Sequence, residues 1–210
     1  MSRLTVAIIA GGASTVAAEL AQATELCAAC GITPTVFAVN DQIERYSGPC
    51  VAVTLHTTRA LYRDGRAPGG LPLWLARRAA AGFQAPSQVW AHRPAPGVTH
   101  TADDWGGSGG LFAFICARKA GFEKVIFSGV PMVAGAGHFV RGNLWTACDA
   151  FRDRGWVRHL PEIKSYARSC SGWTAERLGM PDEVFLKGRM ACHGLEDIAG
   201  AAIPSQSRQR

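Results

Sequence analysis

The sequence predicts an α/β domain with a Rossmann-like, three-layer arrangement around a mostly parallel central sheet. Three observations predict this fold. Short apolar runs rich in β-branched residues end at glycine or at a polar residue, as strands buried on both faces do. Segments with apolar residues at helical spacing separate these runs, and such alternation is typical of a parallel sheet. Two glycine-rich turns also precede helical segments, where folds of this class bind ligands.

The first part of the chain alternates strand and helix. The run LTVAIIA over residues 4–10 is apolar throughout and predicts a central strand. Residues 16–30 have apolar side chains at helical spacing and predict a helix, which Ser14 or Thr15 can cap. Two further strands, each followed by a polar residue, are predicted over residues 33–39 and 50–55.

The middle of the chain, residues 63–104, is less regular. Its glycines, prolines and tryptophans show weak periodicity, so we expect a short strand over 88–92 and otherwise irregular structure or a lid. Beyond it, residues 109–120 are apolar on nearly all sides and predict a buried helix. The run KVIFS predicts a buried strand over 124–128. The last predicted elements are an amphipathic helix over 144–154 and a strand over 156–160.

Length and composition favour one domain. A chain of 210 residues with 48% hydrophobic and 18% charged residues is typical of a globular protein with one sizeable core. We assign this domain to residues 1–190 and a tail to residues 191–210. No apolar run reaches the roughly 18 residues of a membrane span, and residues 4–10 meet glycines too early for a signal peptide. We therefore expect a cytoplasmic protein without a membrane span; the sequence indicates no oligomeric state.

The seven cysteines are odd in number and lie mostly in apolar segments, which favours reduced thiols over a disulfide framework. Cys27 and Cys30 form a C-x-x-C at the end of a predicted helix, with no second pair at metal-ligand spacing. Packing is the favoured interpretation of this pair, and redox or metal chemistry is the alternative.

The net charge is +6, but the basic residues are spread along the chain. The main concentrations are Arg77-Arg78, residues 152–158 and the last residues of the chain. This spread favours a solvated basic surface. Attraction of a phosphorylated substrate is the alternative, and nucleic acid is a partner that the spread does not favour.

The first glycine turn, Gly11-Gly12-Ala13-Ser14, follows the first predicted strand. Such a turn lets the backbone approach an anion and presents N–H groups at the positive end of the next helix. Its spacing matches neither the dinucleotide fingerprint nor the phosphate-loop motif. A plain tight turn is the alternative to a binding site.

The second glycine turn is Gly106-Gly107-Ser108-Gly109-Gly110. Ser108 can cap the buried helix while its hydroxyl and the neighbouring amides face a phosphate or carboxylate. Four glycines exceed what a cap needs, which favours ligand binding over a loop that only needs unusual backbone angles. A nucleophilic Ser108 is not favoured, because no clear strand precedes it and no Asp/His pair is placed to activate it.

Polar residues follow other predicted strands at the same edge of the sheet. Asn40 can hydrogen-bond a base or a sugar through its amide and its carbonyl, or can be a turn residue. Asp41, His56 and Gly129 are further candidates by position. His138 lies among glycines in a loop and titrates in the range useful for acid/base catalysis, although a loop histidine can also be structural.

Four short blocks occur in the order AIIAGGAS (residues 7–14), VFAVND (36–41), residues 108–129, and Gly137-His138 before a predicted helix. They resemble blocks of the bacterial lipooligosaccharide sialyltransferases that use CMP-sialic acid and, more loosely, of Rossmann-like proteins of the 6-hydroxymethylpterin diphosphokinase type. The resemblance implies a nucleotide contact at Asn40, a serine-glycine turn at Ser108 and a catalytic histidine at His138. It places His56 at a further polar contact.

The chain departs from that family at two places. Gly12 stands where the family has an asparagine, and no tyrosine lies between Gly129 and Gly142, where the family has tyrosines that assist the departing phosphate. A nucleotide or nucleotide-sugar is therefore the expected substrate, with CMP-sialic acid itself in doubt.

Together these features predict a glycosyltransferase-like enzyme. It holds a nucleotide-activated donor on residues 11–14, Asn40 and Ser108-Gly109, with His138 as general base toward an acceptor hydroxyl. No metal or other cofactor is expected, because backbone amides can take the phosphate charge. One alternative is Mg²⁺-dependent diphosphate transfer to a small heterocycle, with Asp41, Asp103 or Asp104 as ligands. The other is a non-catalytic nucleotide-binding accessory protein.

Overall fold

The computed structural model describes residues 4–56, 70–106, 108–138 and 148–188. Its strands are β1 (Val6–Ala10), β2 (Thr35–Val39), β3 (Cys50–Thr54), β4 (Gln88–Ala91), β5 (Thr99–His100), β6 (Lys124–Ser128) and β7 (Ala167–Ser169). They form one sheet in the order β5-β4-β3-β2-β1-β6-β7, and every neighbouring pair is parallel. The predicted Rossmann-like α/β fold is confirmed, with a sheet that is parallel throughout.

The helices alternate with these strands. They are α1 (Val16–Ala29), α2 (Gln42–Arg45), α3 (Leu71–Ala80), α4 (Gly109–Lys119), α5 (Cys148–Phe151), α6 (Val157–Tyr166), α7 (Gly172–Leu178) and α8 (Glu183–Lys187), and a π-helical turn over Arg152–Trp156 joins α5 to α6. No helix in the described ranges is both long and apolar enough to cross a membrane.

Helices cover both faces of the sheet, which gives three layers. Alternate strand residues point to opposite faces. Ile9 and Phe37 pack with α4 and α6, whereas Ala10 and Ala38 pack with α1, α2 and α3. The helix α4 is buried from Gly110 to Ala117 because it lies directly on the central strands. Strands buried on both faces must be apolar at every position, which explains the continuous apolar runs of β1 and β6.

The strand order reverses direction beside β1. From β1 the chain adds β2, β3, β4 and β5 on one side, then returns through α4 to place β6 on the other side. The loops that leave β1 and β6 at their carboxyl ends therefore diverge. In open α/β sheets the crevice at this reversal is the usual place for a ligand.

Two predicted elements are corrected by the structure. The expectation of irregular structure or a lid is wrong for residues 71–80, which form α3. Leu71, Trp74 and Arg78 are buried at helical spacing, and Pro72 is a helix-start signal rather than a breaker. The strand predicted over 156–160 is wrong too. Trp156 and Ile163 are buried in the same layer, seven residues apart, a helical period that the aromatic and β-branched composition obscures.

The other predicted elements fall close to observed ones. The strand predicted over 88–92 is β4, and the predicted helices over 16–30 and 109–120 are α1 and α4. Of the helix predicted over 144–154, the described part consists of α5 and the start of the π-helical turn. Residues 144–147 and the predicted tail, 191–210, lie outside the described residues.

Candidate functional site

A cleft opens at the carboxyl edge of the sheet, beside the strand-order reversal. It is lined by Gly11, Gly12, Val39, Asn40, Asp41, Gly109, Gly110, Val130 and His138. Both glycine turns contribute to it, as the sequence predicts. Its volume is about 70 Å³, well below the roughly 300–1,000 Å³ of typical small-molecule sites. The cleft formed by the described residues therefore has room for one small group, such as a phosphate, and not for a whole nucleotide.

The turn after β1 uses most of its N–H groups within the protein. Three of them donate to backbone carbonyls of the chain after β6: Gly11 to Ser128 at 2.8 Å, Ala13 to Gly129 at 3.1 Å, and Ser14 to Gly137 at 2.9 Å. These N–H groups are not available to an anion, contrary to the expectation from the sequence. They instead fasten the end of β1 to the loop that follows β6.

The positive end of α1 faces a carboxylate of the protein itself. Glu19, in the first turn of α1, is only 7% exposed. Its carboxylate accepts the N–H of Gly129 at 2.6 Å and the hydroxyl of Thr15 at 2.5 Å. An acidic side chain at this end of a helix interacts favourably with the helix dipole. Glu19 is therefore an internal negative charge in the first turn of α1, and Gly129 serves this internal contact.

The helix α4 directs its amino terminus at the cleft. Gly109 and Gly110 are its first two residues and line the cleft. N–H groups in the first turn of a helix have no acceptor within that helix, and they carry the positive end of its dipole. A Cβ on Gly110 would come within 2.6 Å of the Val130 side chain, so glycine is required for the segment after β6 to approach. This end of α4 is the part of the cleft best suited to an anion.

Asn40 adds a hydrogen-bond donor beside that helix end. Its φ of 52° is left-handed, a conformation that asparagine tolerates better than most residues. Its side-chain carbonyl accepts the hydroxyl of Thr54 at 2.8 Å, which fixes the orientation of the amide. The NH₂ group faces Gly109, where a Cβ would lie 3.2 Å from Nδ2. The sequence predicts that Asn40 contacts a ligand through both its NH₂ group and its carbonyl, but in the structure the NH₂ group is the part directed at the cleft.

His138 covers the turn after β1. Its backbone pairs with Ala13 in an isolated antiparallel bridge, and its ring lies against Gly12, where a Cβ would come within 2.7 Å of Cδ2. Nε2 lies 4.0 Å from Oδ2 of Asp41, and the His138 side chain is 9% exposed. This distance is too long for a hydrogen bond but allows Asp41 to stabilise a protonated imidazole. The cleft thus combines a titratable group with a fixed negative charge.

Asp41 is held in place by a tryptophan that the sequence analysis left in irregular structure. Nε1 of Trp74, on α3, donates to Oδ1 of Asp41 at 2.9 Å and leaves Oδ2 toward His138. The ring of His56 packs edge-on against Trp74 at 6.5 Å between centroids. Burial of that ring lowers the pKa of His56, and the charge of Asp41 acts in the opposite direction. His56 lies behind Asp41 and does not line the cleft.

Ser108 is placed inside the protein. It occupies the residue before α4 and is 5% exposed, but its side chain makes no capping hydrogen bond to the helix. Its Oγ lies 3.9 Å from Sδ of Met132. Ser108 is not among the residues that line the cleft, and its contribution to ligand binding stays a prediction. Gly107 lies outside the described residues.

The carboxylates proposed as magnesium ligands are not gathered at one place. Lys119 hydrogen-bonds Asp103 at 2.7 Å and lowers the pKa of that carboxyl. Asp104 accepts the N–H of Gly106 at 3.1 Å. Of the three candidates only Asp41 lines the cleft. Within the part of the chain that the structure describes, no group of three or more His, Cys, Asp or Glu residues could hold a metal.

The C-x-x-C pair lies at the end of α1, and neither cysteine lines the cleft. Cys27 is fully buried on α1 and packs with Ile8 and Ile126, and both it and Cys30 are free thiols. Burial, with a smaller contribution from Cys30, raises the pKa of Cys27 to about 11. A thiol with a raised pKa is a poor nucleophile and a poor metal ligand. The arrangement therefore supports the packing interpretation.

The two members of the basic pair Arg77-Arg78 have different surroundings. Arg78 is 1% exposed and donates to the backbone carbonyls of Ile43, Tyr46, Gly48 and Gln84, so it is not part of a solvated surface. Arg77 is exposed, as the sequence predicts, and pairs with Glu44 at 3.2 Å. Both residues fasten α3 to the segment around α2.

Comparison of the chain with protein-family models, with curated proteins and with solved structures found no match in any of the three. The function is therefore argued from the chemistry of the cleft. That chemistry consists of a helix amino terminus suited to an anion, the amide of Asn40, and the neighbouring side chains of His138 and Asp41.

Proposed function

We propose that the protein is a glycosyltransferase-like enzyme that binds a nucleotide-activated sugar and transfers the sugar to an acceptor hydroxyl without a metal ion. The observation that carries the proposal is the composition of the cleft. Donors suited to a phosphate, at the start of α4 and on Asn40, line the same small cleft as His138 and Asp41. The resemblance of the four sequence blocks supports the same assignment.

Each group that lines the cleft has one role in the proposed reaction. His138 takes the proton of the acceptor hydroxyl, whose oxygen forms the new bond to the anomeric carbon of the sugar. The bond from that carbon to the phosphate oxygen breaks, and the nucleotide leaves with the electron pair. The N–H groups of Gly109 and Gly110 and the amide of Asn40 stabilise the charge that develops on the phosphate. Asp41 stabilises the imidazolium that forms on His138.

The size of the cleft limits what it holds. A volume of about 70 Å³ fits the phosphate that leaves the sugar. In this proposal the base and the sugar extend beyond the described walls. Asn40 and Asp41 are then contacts to the reacting end of the donor and not to its base.

A binding experiment tests the first half of the proposal. Nucleoside monophosphates, nucleoside diphosphates and nucleotide-sugars are screened by thermal shift and calorimetry, in EDTA and in Mg²⁺. A ligand bound only by the native state raises the melting temperature. We expect stabilisation by at least one nucleotide-sugar and by its nucleotide, to the same extent in EDTA as in Mg²⁺. Hydrolysis or transfer of that donor is then measured by product analysis.

Asn40→Asp is the sharpest variant for this site. Aspartate also tolerates a left-handed φ and can still accept the Thr54 hydroxyl, but it replaces the NH₂ donor by a carboxylate beside the phosphate. We expect at least about a tenfold loss of nucleotide affinity, equivalent to about 1.4 kcal/mol. Gln22→Glu, on the exposed side of α1, changes the net charge in the same direction and is the matched control.

The outcomes separate the alternatives. Binding that requires Mg²⁺ and is lost in Asp41→Asn favours diphosphate transfer. Binding without turnover of any donor favours a non-catalytic accessory protein. Failure of every nucleotide to bind, or equal affinity in Asn40→Asp and wild type, contradicts the assignment of the cleft.

A further inference from the structure

A second cavity lies at the amino edge of the sheet, on the opposite side from the cleft. Its volume is about 290 Å³ and it is lined by Lys124, Ser165, Arg168, Asp182, Val184 and Phe185. Lys124 begins β6 and Arg168 lies in the neighbouring strand β7. The cavity therefore shares no lining residue with the cleft around His138.

Two cationic side chains in this cavity contact one aromatic ring. Nζ of Lys124 lies 4.7 Å from the centroid of Phe185, and Cζ of Arg168 lies 4.5 Å from the same centroid. Lys124 is 4% exposed. Among the residues that the structure describes, no carboxylate lies within ion-pairing distance of either cation. Within the described residues, Lys124 is thus a largely buried cationic side chain whose close contact is the face of Phe185.

The remaining polar groups of the cavity do not balance this charge. The carboxylate of Asp182 accepts the N–H of Phe185 at 2.6 Å and caps α8. Arg168 uses Nη1 for the backbone carbonyls of Lys164 and Ala167, each at 2.8 Å, and keeps its other N–H groups for another partner. Burial, and then the charge of Arg168, lower the pKa of Lys124, while Glu123 acts in the opposite direction.

This arrangement lowers stability when the cavity is empty. The charge of Arg168 acts against that of Lys124, whose side chain is largely buried, and no opposite charge among the described residues of the cavity offsets this repulsion. The face of Phe185 offsets part of that cost for each cation. An anion between the two cations would remove their repulsion and complete their hydrogen bonds, because Arg offers paired N–H groups and Lys a point charge.

We propose that this cavity is a second binding site, for a small molecule that carries an oxyanion group of the phosphate or carboxylate type. Lys124 and Arg168 hold the oxyanion, and the hydroxyl of Ser165 lies on the wall of the same cavity. The volume leaves room for a few further atoms beside the charged group, and Val184, which is 79% exposed, gives that part an apolar rim.

The test measures inorganic phosphate binding by thermal shift, at constant ionic strength with chloride as the reference salt and acetate in a parallel series. Wild type is compared with Lys124→Met and with Lys187→Met, which removes the same charge from the exposed side of α8. We expect phosphate or acetate to stabilise wild type and Lys187→Met equally. In Lys124→Met the affinity should fall at least about tenfold. Without the anion, Lys124→Met should melt above wild type.

Amide chemical shifts of the wild-type protein locate the anion without relying on a variant. Shifts that cluster at Lys124, Arg168 and Phe185 during a phosphate or acetate titration support the site, and the stronger of the two anions identifies the ligand class. Shifts confined to Gly109 and Gly110 assign the anion to the cleft and overturn the proposal. Equal anion affinity in Lys124→Met and wild type, or no binding at all, overturns it as well.

Discussion

The ring of His138 lies against the backbone of Gly12, where a Cβ would come within 2.7 Å of Cδ2. Gly12 does not have a left-handed φ. Glycine is therefore needed at this position for space and not for backbone conformation. The space beside the turn is filled by the imidazole. Gly12 and the position of His138 in the cleft are therefore parts of one arrangement.

This contact predicts an energetic coupling between positions 12 and 138. Gly12→Ala should lower the free energy of unfolding by about 1–3 kcal/mol, because the new methyl group collides with the imidazole. In a His138→Ala background the same substitution should cost at least about 1 kcal/mol less. Urea unfolding of the four proteins in the double-mutant cycle measures the coupling. An equal cost of Gly12→Ala in both backgrounds would show that the ring does not occupy this space.

Glu19 provides a second prediction, for stability. Glu19→Ala removes the acceptor of the buried N–H of Gly129 and of the exposed hydroxyl of Thr15. Loss of hydrogen bonds to a charged group should lower the free energy of unfolding by about 2–3 kcal/mol. Glu25→Ala removes the same side chain from the exposed side of the same helix and should change it by less than about 0.5 kcal/mol. Similar losses in both variants would contradict the internal role of Glu19.

The parts of the fold that sequence predicts well are those with local signals. The strands β1 and β6 are continuous apolar runs that end at glycine, and α4 is apolar on every side, so each is recognisable without knowledge of its neighbours. The sequence predicts a strand over 156–160, where the structure has the start of α6, because the buried face of this helix is narrow. Its buried positions only become distinct from the exposed ones when its packing partners are known.

The candidate site also contains residues that the sequence predicts and residues that it does not. Gly12, Asn40, Gly109 and His138 lie in the cleft because parallel strands bring their carboxyl-end loops together, a consequence of element order. The sequence does not reveal the roles of Trp74, Thr54 and Glu19. Each of them hydrogen-bonds a residue on another element, and the sequence does not show which elements are neighbours. The prediction of free N–H groups in the turn after β1 is wrong for the same reason, because the carbonyls that accept them lie more than a hundred residues later in the chain.

The stacked pair His159 and Trp105 predicts a pH dependence of stability. Their rings are 4.0 Å apart between centroids and nearly parallel. Burial lowers the pKa of His159, with Glu162 acting in the opposite direction and Arg158 reinforcing the decrease. The folded protein therefore binds this proton less readily than the unfolded chain does. Stability from this residue is full above the unfolded pKa of about 6.5 and falls as the pH decreases toward the lower folded pKa.

His159→Phe keeps an aromatic ring on Trp105 and removes the titration. The variant should lose less stability than wild type when the pH is lowered from 8 to 5, and the two unfolding curves should converge at the alkaline end. Urea unfolding at several pH values measures both. Parallel pH dependences would show that His159 is as accessible to protons in the folded state as in the unfolded chain.

The last prediction concerns His138 and rests on the proposed function. A general base must reach the acceptor hydroxyl within roughly 3 Å, or through one water, and Nε2 of His138 lies on the cleft wall with Asp41 at 4.0 Å to stabilise its protonated form. With a donor that turns over, His138→Ala should lower kcat by about a hundredfold or more. Nucleotide affinity should change little, because the phosphate is held by the start of α4 and by Asn40. His100→Ala, on the exposed edge strand β5, is the matched control and should keep wild-type kcat. A loss confined to nucleotide affinity would make His138 a binding residue, and an equally active variant would remove it from the reaction altogether.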